Sequence, residues 1–164
     1  MLRKGTLIPP LTIRNSHGPL VSAWDYKQKR NLIIAFLDEG CSTCERFVKS
    51  LIAYAEDFRQ REAVALLVFP QEPGSAECSA LPAEIIAGTD VDGSGIQRYL
   101  GENALSTRGQ VRKGIFITDR YGELYDLWWI EGHGFPTIEQ ILSSLDAIEL
   151  ICDECGAPYE PLDE

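Results

Sequence analysis

Apolar and polar positions alternate along this chain in two registers, one suited to strands and one to helices. The switches between them mark out the elements. "PLTIRNSHGPLVS" reads as two short strands around a turn at His17-Gly18-Pro19. "NLIIAFL", from Asn31 to Leu37, is a continuous apolar run with β-branched residues, which suits a buried central strand. From Ser42 the apolar residues Phe47, Val48, Leu51, Ile52 and Ala55 recur at helical spacing, so one helix is expected to run to about Gln60. "AVALLVFP" (Ala63 to Pro70) is a second buried strand, and "QEPGSAECSALP" reads as loop.

"AEIIAGTDVDGSGIQRYLG" predicts a short strand, an acidic turn at Asp90 to Gly93 and a short helix ending at Gly101. "ENALSTRGQVRK" reads as another loop. "GIFITDRYGELYDLWWI" predicts a hairpin with strands Gly114–Thr118 and Glu123–Ile130. Trp128 and Trp129 then face opposite sides of a strand, one for the core and one free to line a partner surface. Thr137 with Gln140 has the form of a capping box, opening a last helix through about Ile151. The order predicts a mixed α/β sandwich: a central sheet flanked by helices, with an N-terminal β-hairpin. Residues 1–151 form one domain, and 152–164 an acidic tail.

The chain has 164 residues, 45% of them hydrophobic, enough to bury a core without disulfides. Its net charge of −10 leaves no basic stripe for nucleic acid and would be repelled by an anionic membrane. The longest apolar runs are too short to span a bilayer, and the N-terminus has no secretory leader. A cytoplasmic location is therefore expected. Thiols there are kept reduced, so the five cysteines point to redox or metal chemistry rather than a disulfide framework.

Cys41 and Cys44 sit where the first buried strand gives way to the first helix. Cys41 falls near the helix N-cap and Cys44 about one turn in. Unpaired N–H groups and the positive end of the helix dipole favour an anion there. A free thiol titrates at about 8.5, and a drop of ~2 units would raise the thiolate fraction at pH 7 from ~3% to ~75%. Nucleophilicity falls with pKa, so the net gain in attack rate is only ~3-fold. The larger benefit is a better leaving group when Cys44 attacks a mixed disulfide. Asp38, Glu39 and Glu45 oppose the drop; Arg46, Arg112 and Lys113 would favour it if near. The same spacing also fits half a zinc site or two small core residues.

The stretches "GTLIPPLTIRNSHGPLVSAWDY", "LIIAFLDEGCSTC" and "GIFITDRYGEL" resemble the N-terminal opening, active-site loop and following hairpin of the thioredoxin-like redoxin family, which includes the peroxiredoxins. The resemblance implies a thioredoxin-type sandwich with Cys41 as exposed nucleophile and Cys44 as resolving thiol. Peroxiredoxins carry Thr or Ser three residues before the reactive cysteine and Pro seven before it; here stand Asp38 and Ile34. Thioredoxins carry a cis-proline before the hairpin strand, where this chain has Lys113. Peroxiredoxins often have an arginine beside the next glycine, so "RKG" implies a cation from Arg112 or Lys113 near Cys41. The other reading is two solvated loop charges.

A second pair, Cys152 and Cys155, follows the last helix. There the dipole is negative and Asp153 and Glu154 lie between the thiols, so both effects raise thiol pKa. Three readings stand: a zinc site completed by Cys78, His133 or a second chain, a redox relay with Cys41 and Cys44, or an ordinary thiol pair. His133 on its own reads as a solvated loop side chain, and Asp90 with Asp92 as a turn.

The expected activity is thiol–disulfide oxidoreduction, with Cys41 attacking and Cys44 resolving. The alternatives are a thiol peroxidase using Cys41, or a non-catalytic module binding zinc through Cys152 and Cys155. No cofactor is expected beyond that zinc. The expected partners are a disulfide-containing protein or a small thiol or peroxide, a reductant, and a second copy of the chain as a homodimer. Neither nucleic acid nor membrane is expected.

Overall fold

A computed structural model describes residues 2–15, 18–38, 40–71, 80–91, 93–101, 113–130 and 134–151. Seven strands form one mixed sheet: β1 (Thr12–Arg14), β2 (Leu20–Ser22), β3 (Asn31–Phe36), β4 (Ala63–Phe69), β5 (Ile85–Asp90), β6 (Lys113–Thr118) and β7 (Leu124–Ile130). Their order across the sheet is β2-β1-β5-β4-β3-β6-β7. The central strands β3, β4 and β5 are parallel, while β6, β7, β1 and β2 are antiparallel additions at the flanks. The expected sandwich of a mixed sheet between helices, opened by an N-terminal hairpin, is the fold observed.

The sequence runs of β3 and β4 are continuously apolar because both faces of the sheet are covered. Ile33, Ala35 and Leu37 join one core cluster. Leu32, Ile34 and Phe36 join the other. The first cluster lies under α1 (Ser42–Ala53), α2 (Ala55–Gln60) and α4 (Ile138–Glu149). The second takes Tyr99 and Leu100 of α3 (Ser94–Leu100) with Ile8, Leu11 and Ile13 from the N-terminal segment. In α1 the buried residues Cys44, Phe47, Val48 and Leu51 make a single stripe at 3–4 spacing.

Three expectations need adjustment. The helix expected from Ser42 to Gln60 breaks at Tyr54, whose φ of −106° and ψ of 16° leave the helical region. Its N–H is shared between the Ser50 and Leu51 carbonyls, and the bend keeps Ala55 and Phe58 packed on the sheet. Trp128 and Trp129 do face opposite sides of β7, but both are half-buried against core clusters rather than one being buried and the other free. Trp129 meets Phe116 edge-on with ring centroids 5.7 Å apart. The final helix stops at Glu149 rather than near Ile151.

Other local signals behave as the residues dictate. Thr137 and Gln140 form a reciprocal capping box at the start of α4. The Asp90 carboxylate accepts the Ile96 N–H at 2.8 Å, closing the acidic turn onto α3. No helix among the described residues is long and apolar enough to cross a membrane.

Candidate active site

The site grows out of the carboxyl end of β3. The chain leaves the sheet at Leu37 and turns at Gly40, whose φ of +75° is a conformation that favours glycine. It enters α1 with Cys41 in the extended conformation at the N-cap. A cysteine there takes the place of the usual Ser, Thr, Asp or Asn, so its sulfur accepts what an N-cap oxygen would accept. The Cys44 backbone N–H donates to Cys41 Sγ at 3.3 Å. The Thr43 hydroxyl is hydrogen-bonded to the same sulfur at 3.0 Å.

The third donor comes from a distant strand. In the β3–β6 register Gly114 faces Phe36, so Lys113 stands one step beyond, level with the end of β3. By strand alternation Lys113 shares its face with Ile115 and Ile117, the face that α1 covers. Its ammonium donates to Cys41 Sγ at 3.2 Å. The Asp38 carboxylate adds to the forces that hold Lys113 protonated.

These contacts set two very different thiols. Partial burial is the largest single influence on Cys41 and pushes its thiol up. Hydrogen bonds from the Cys44 thiol, the Thr43 hydroxyl, the Cys44 N–H and the Lys113 ammonium together outweigh it and bring Cys41 down to about 7. At pH 7 about half of it is then thiolate, against ~3% for a free thiol. Cys44 is 2% exposed. Burial, then its hydrogen bond to Cys41, pushes Cys44 up to about 12, although the Asp38 N–H and the Lys113 charge pull the other way. One turn of helix therefore holds an ionisable, half-exposed thiol and a protonated, buried one; both are free thiols in this structure.

Beside them runs an open groove of about 680 Å³, lined by Thr43, Arg46, Phe47, Tyr54, Phe135 and Pro136 among others. The Phe47 and Phe135 rings stack across it with centroids 4.8 Å apart. Thr43 belongs both to the groove and to the sulfur's hydrogen-bond set. It was missed from sequence, although a hydroxyl residue just after a cysteine at a helix start was the available signal. Phe135 drew no functional reading from the sequence, since nothing local links it to Phe47.

Of the residues singled out from sequence, the structure brings together Cys41, Cys44 and Lys113. Arg112, Cys78, His133, Cys152 and Cys155 lie outside the described residues. Among the described residues no group of three or more His, Cys, Asp or Glu is placed to hold a metal ion. The helix that precedes the second cysteine pair ends far from Cys41: Glu149 meets Asn31, at the start of β3, through a 2.9 Å hydrogen bond. Cys41 follows the other end of that strand, roughly 17 Å away along β3 alone.

No family model matches the sequence, and no curated protein matches it. Solved structures do. AhpC from Mycobacterium tuberculosis superposes with a TM-score of 0.71 at 15% identity, over 94% of this chain and 98% of that one. The mitochondrial 2-Cys peroxiredoxin of Plasmodium falciparum gives 0.70 at 13% identity, covering 90% and 94%. A yeast mitochondrial 1-Cys peroxiredoxin, studied for its thiol resolving mechanism via glutathione and thioredoxin systems, gives 0.76 at 13% identity, covering 92% and 78%. The fold is thus a thioredoxin-like sandwich of the peroxiredoxin type.

Proposed function

We propose that the chain is a thiol–disulfide oxidoreductase in which Cys41 attacks and Cys44 resolves. The observation that carries this reading is the arrangement at one helix start: Cys41 with three kinds of donor on its sulfur, and Cys44 one turn deeper. The Cys41 thiolate attacks one sulfur of a substrate disulfide. A Cys41–substrate bond forms and the other sulfur leaves as thiolate, which takes a proton from solvent or from Cys44. The Cys44 thiolate then attacks Cys41 Sγ, breaking the mixed bond. The substrate has gained two electrons, and the chain holds a Cys41–Cys44 disulfide that an external dithiol must reduce.

Burial is the main reason Cys44 is held protonated at rest, and its hydrogen bond to Cys41 adds to it. Once Cys41 is in a mixed disulfide its negative charge is gone, and that second influence disappears. The step that needs the resolving thiol thereby removes one of the two influences that hold it protonated, and burial remains.

A second reading has its own support. The Thr43 hydroxyl and Lys113 ammonium, both against the Cys41 sulfur, are two donors that a hydroperoxide entering beside that sulfur would meet. The structural neighbours are peroxiredoxins. In that case Cys41 attacks the terminal oxygen, an alcohol or water leaves, and Cys44 converts the sulfenic acid to the same disulfide with loss of water. One pair of assays separates the readings: single-turnover reduction of a protein disulfide such as insulin, and hydroperoxide consumption by the same reduced protein. Disulfide reduction abolished by Cys41→Ser, with peroxide consumed no faster than by a free thiol, supports the first. Fast peroxide consumption with inert disulfides overturns it in favour of the second.

A further inference from the structure

At the far end of the sheet from Cys41 lies a shallow depression walled by Leu7, Ile8, Trp24, Tyr26 and Tyr121 and rimmed by Lys27, Arg30 and Arg120, with one carboxylate, Asp119, that accepts the Tyr121 and Glu123 N–H groups. Its lining is almost wholly apolar, yet Leu7 and Trp24 are 50% and 45% exposed. Its volume is about 20 Å³. Pockets that engulf a small ligand hold roughly 300–1,000 Å³, so this one suits the edge of a side chain carried on a segment laid across it.

The rim is unusual for this molecule. The chain carries a net charge of −10, but Lys27-Gln28-Lys29-Arg30 puts three cations in four residues. Lys27 lies 4.7 Å over the Trp24 ring, and the Arg30 guanidinium donates to the adjacent Lys29 carbonyl at 3.4 Å. Neither cation meets a carboxylate among the described residues. An apolar floor under a basic rim calls for an acidic segment with interspersed apolar side chains.

We propose that the occupant is the chain's own C-terminal segment, residues 152–164. It holds five carboxylates, Asp153, Glu154, Glu160, Asp163 and Glu164, and no Lys or Arg, which is half of the chain's net charge. Within it Tyr159 and Leu162 are each followed by an acidic residue, and Pro158 and Pro161 favour an extended backbone. The helix that precedes the segment ends beside the depression. The Glu149 carboxylate, at the end of α4, is 3.3 Å from the Arg120 guanidinium of the rim. Tyr159 is eight residues past Ile151, a reach of up to roughly 26 Å. The segment's carboxylates Glu160 and Asp163 are the proposed counter-charges of Lys27 and Arg30.

The test is amide hydrogen exchange of residues 156–164 in the reduced full-length protein at low salt, read by mass spectrometry. Docking is expected to slow these amides about tenfold or more over their unstructured rates. Lys27→Glu with Arg30→Glu should return them to unstructured rates, and adding Glu160→Lys with Asp163→Lys should restore the protection. Lys27 and Arg30 are both exposed, so their reversal leaves the buried core untouched. Unprotected amides in the unsubstituted protein would overturn the proposal, as would protection indifferent to the rim reversal. Protection that grows with protein concentration would assign the depression to a second copy, and would overturn it equally.

Discussion

Both ends of the sheet set a cation beside an acidic group, and the two outcomes are opposite. At the amino end of β3 two arginines are taken up by carboxylates. Arg61 holds Asp146 at 2.7 Å and donates to the Asp57 carbonyl, and Arg120 bridges Glu149 and Glu62. Asn31, buried beneath them, donates to both Glu149 and the Arg61 carbonyl. At the carboxyl end Lys113 donates instead to a thiol. A carboxylate beside a cation is ionised throughout the neutral range and only changes strength. A thiol beside a cation changes its charge state near pH 7. The same kind of contact is structural at one end and chemical at the other because the acidic partner titrates where the protein works.

The largest expected effects come from removing the titrating partner. Cys41→Ser should lower disulfide or peroxide turnover by about a thousandfold or more, with the circular dichroism unchanged, since a serine hydroxyl is essentially never ionised at pH 7. Cys44→Ser should leave the first attack intact and stop the second. A stable mixed disulfide with substrate, seen as a mass adduct at Cys41, is the expected product; its absence would remove Cys44 from the resolving role.

Lys113→Met tests the comparison itself. Alkylation of Cys41 in the unsubstituted protein should follow a single titration with its midpoint at about 7. Removing the ammonium should move the midpoint up toward the free-thiol range of about 8.5, and Lys113→Arg should keep it low. Rate at pH 6.5 should fall roughly threefold to tenfold in Lys113→Met and little above pH 9, where both forms are ionised. Thr43→Val should shift the midpoint the same way but less, because the N-cap amide and the ammonium remain. If instead the midpoint is unmoved in Lys113→Met, the cation at 3.2 Å is a bystander.

Stability follows with a definite sign. Cys41 titrates lower folded than unfolded, so its contribution is fully present above the free-thiol range and is lost as pH falls through about 7. Cys44 is shifted the other way, and its contribution is lost as pH rises past the free-thiol range. The reduced protein should therefore gain melting temperature from pH 6.5 to 8 relative to Cys41→Ser, and the difference should be absent below pH 6.

Much of this was readable from the residues, and what was not has a common physical reason. The β3 and β4 runs declare buried strands because apolar continuity has few other meanings, and Thr137 with Gln140 declares a helix start through local hydrogen bonds. Cys41 at a helix start follows from the change of period at Ser42. Contacts across long separations were not legible. Nothing near Asn31 announces Glu149, 118 positions later. Lys113 was named as a cation that would help if near, and the family resemblance pointed to the same place, but only the β3–β6 register brings it to the sulfur. The break at Tyr54 has no glycine or proline to mark it; the sheet beneath decides it.

The smallest effect closes the comparison from its structural side. Arg61 and Asp146 meet at 2.7 Å, but the aspartate is 59% exposed, so water screens the pair and competes for both charges. Arg61→Met should cost about 0.2–1 kcal/mol by denaturant titration. It should leave the Cys41 alkylation midpoint where it was, because the strand between them carries no charge and the separation exceeds a Debye length at physiological salt. A midpoint that moved with Arg61 would mean that the two ends of the sheet share one electrostatic field, and the division between a structural end and a chemical end would fall.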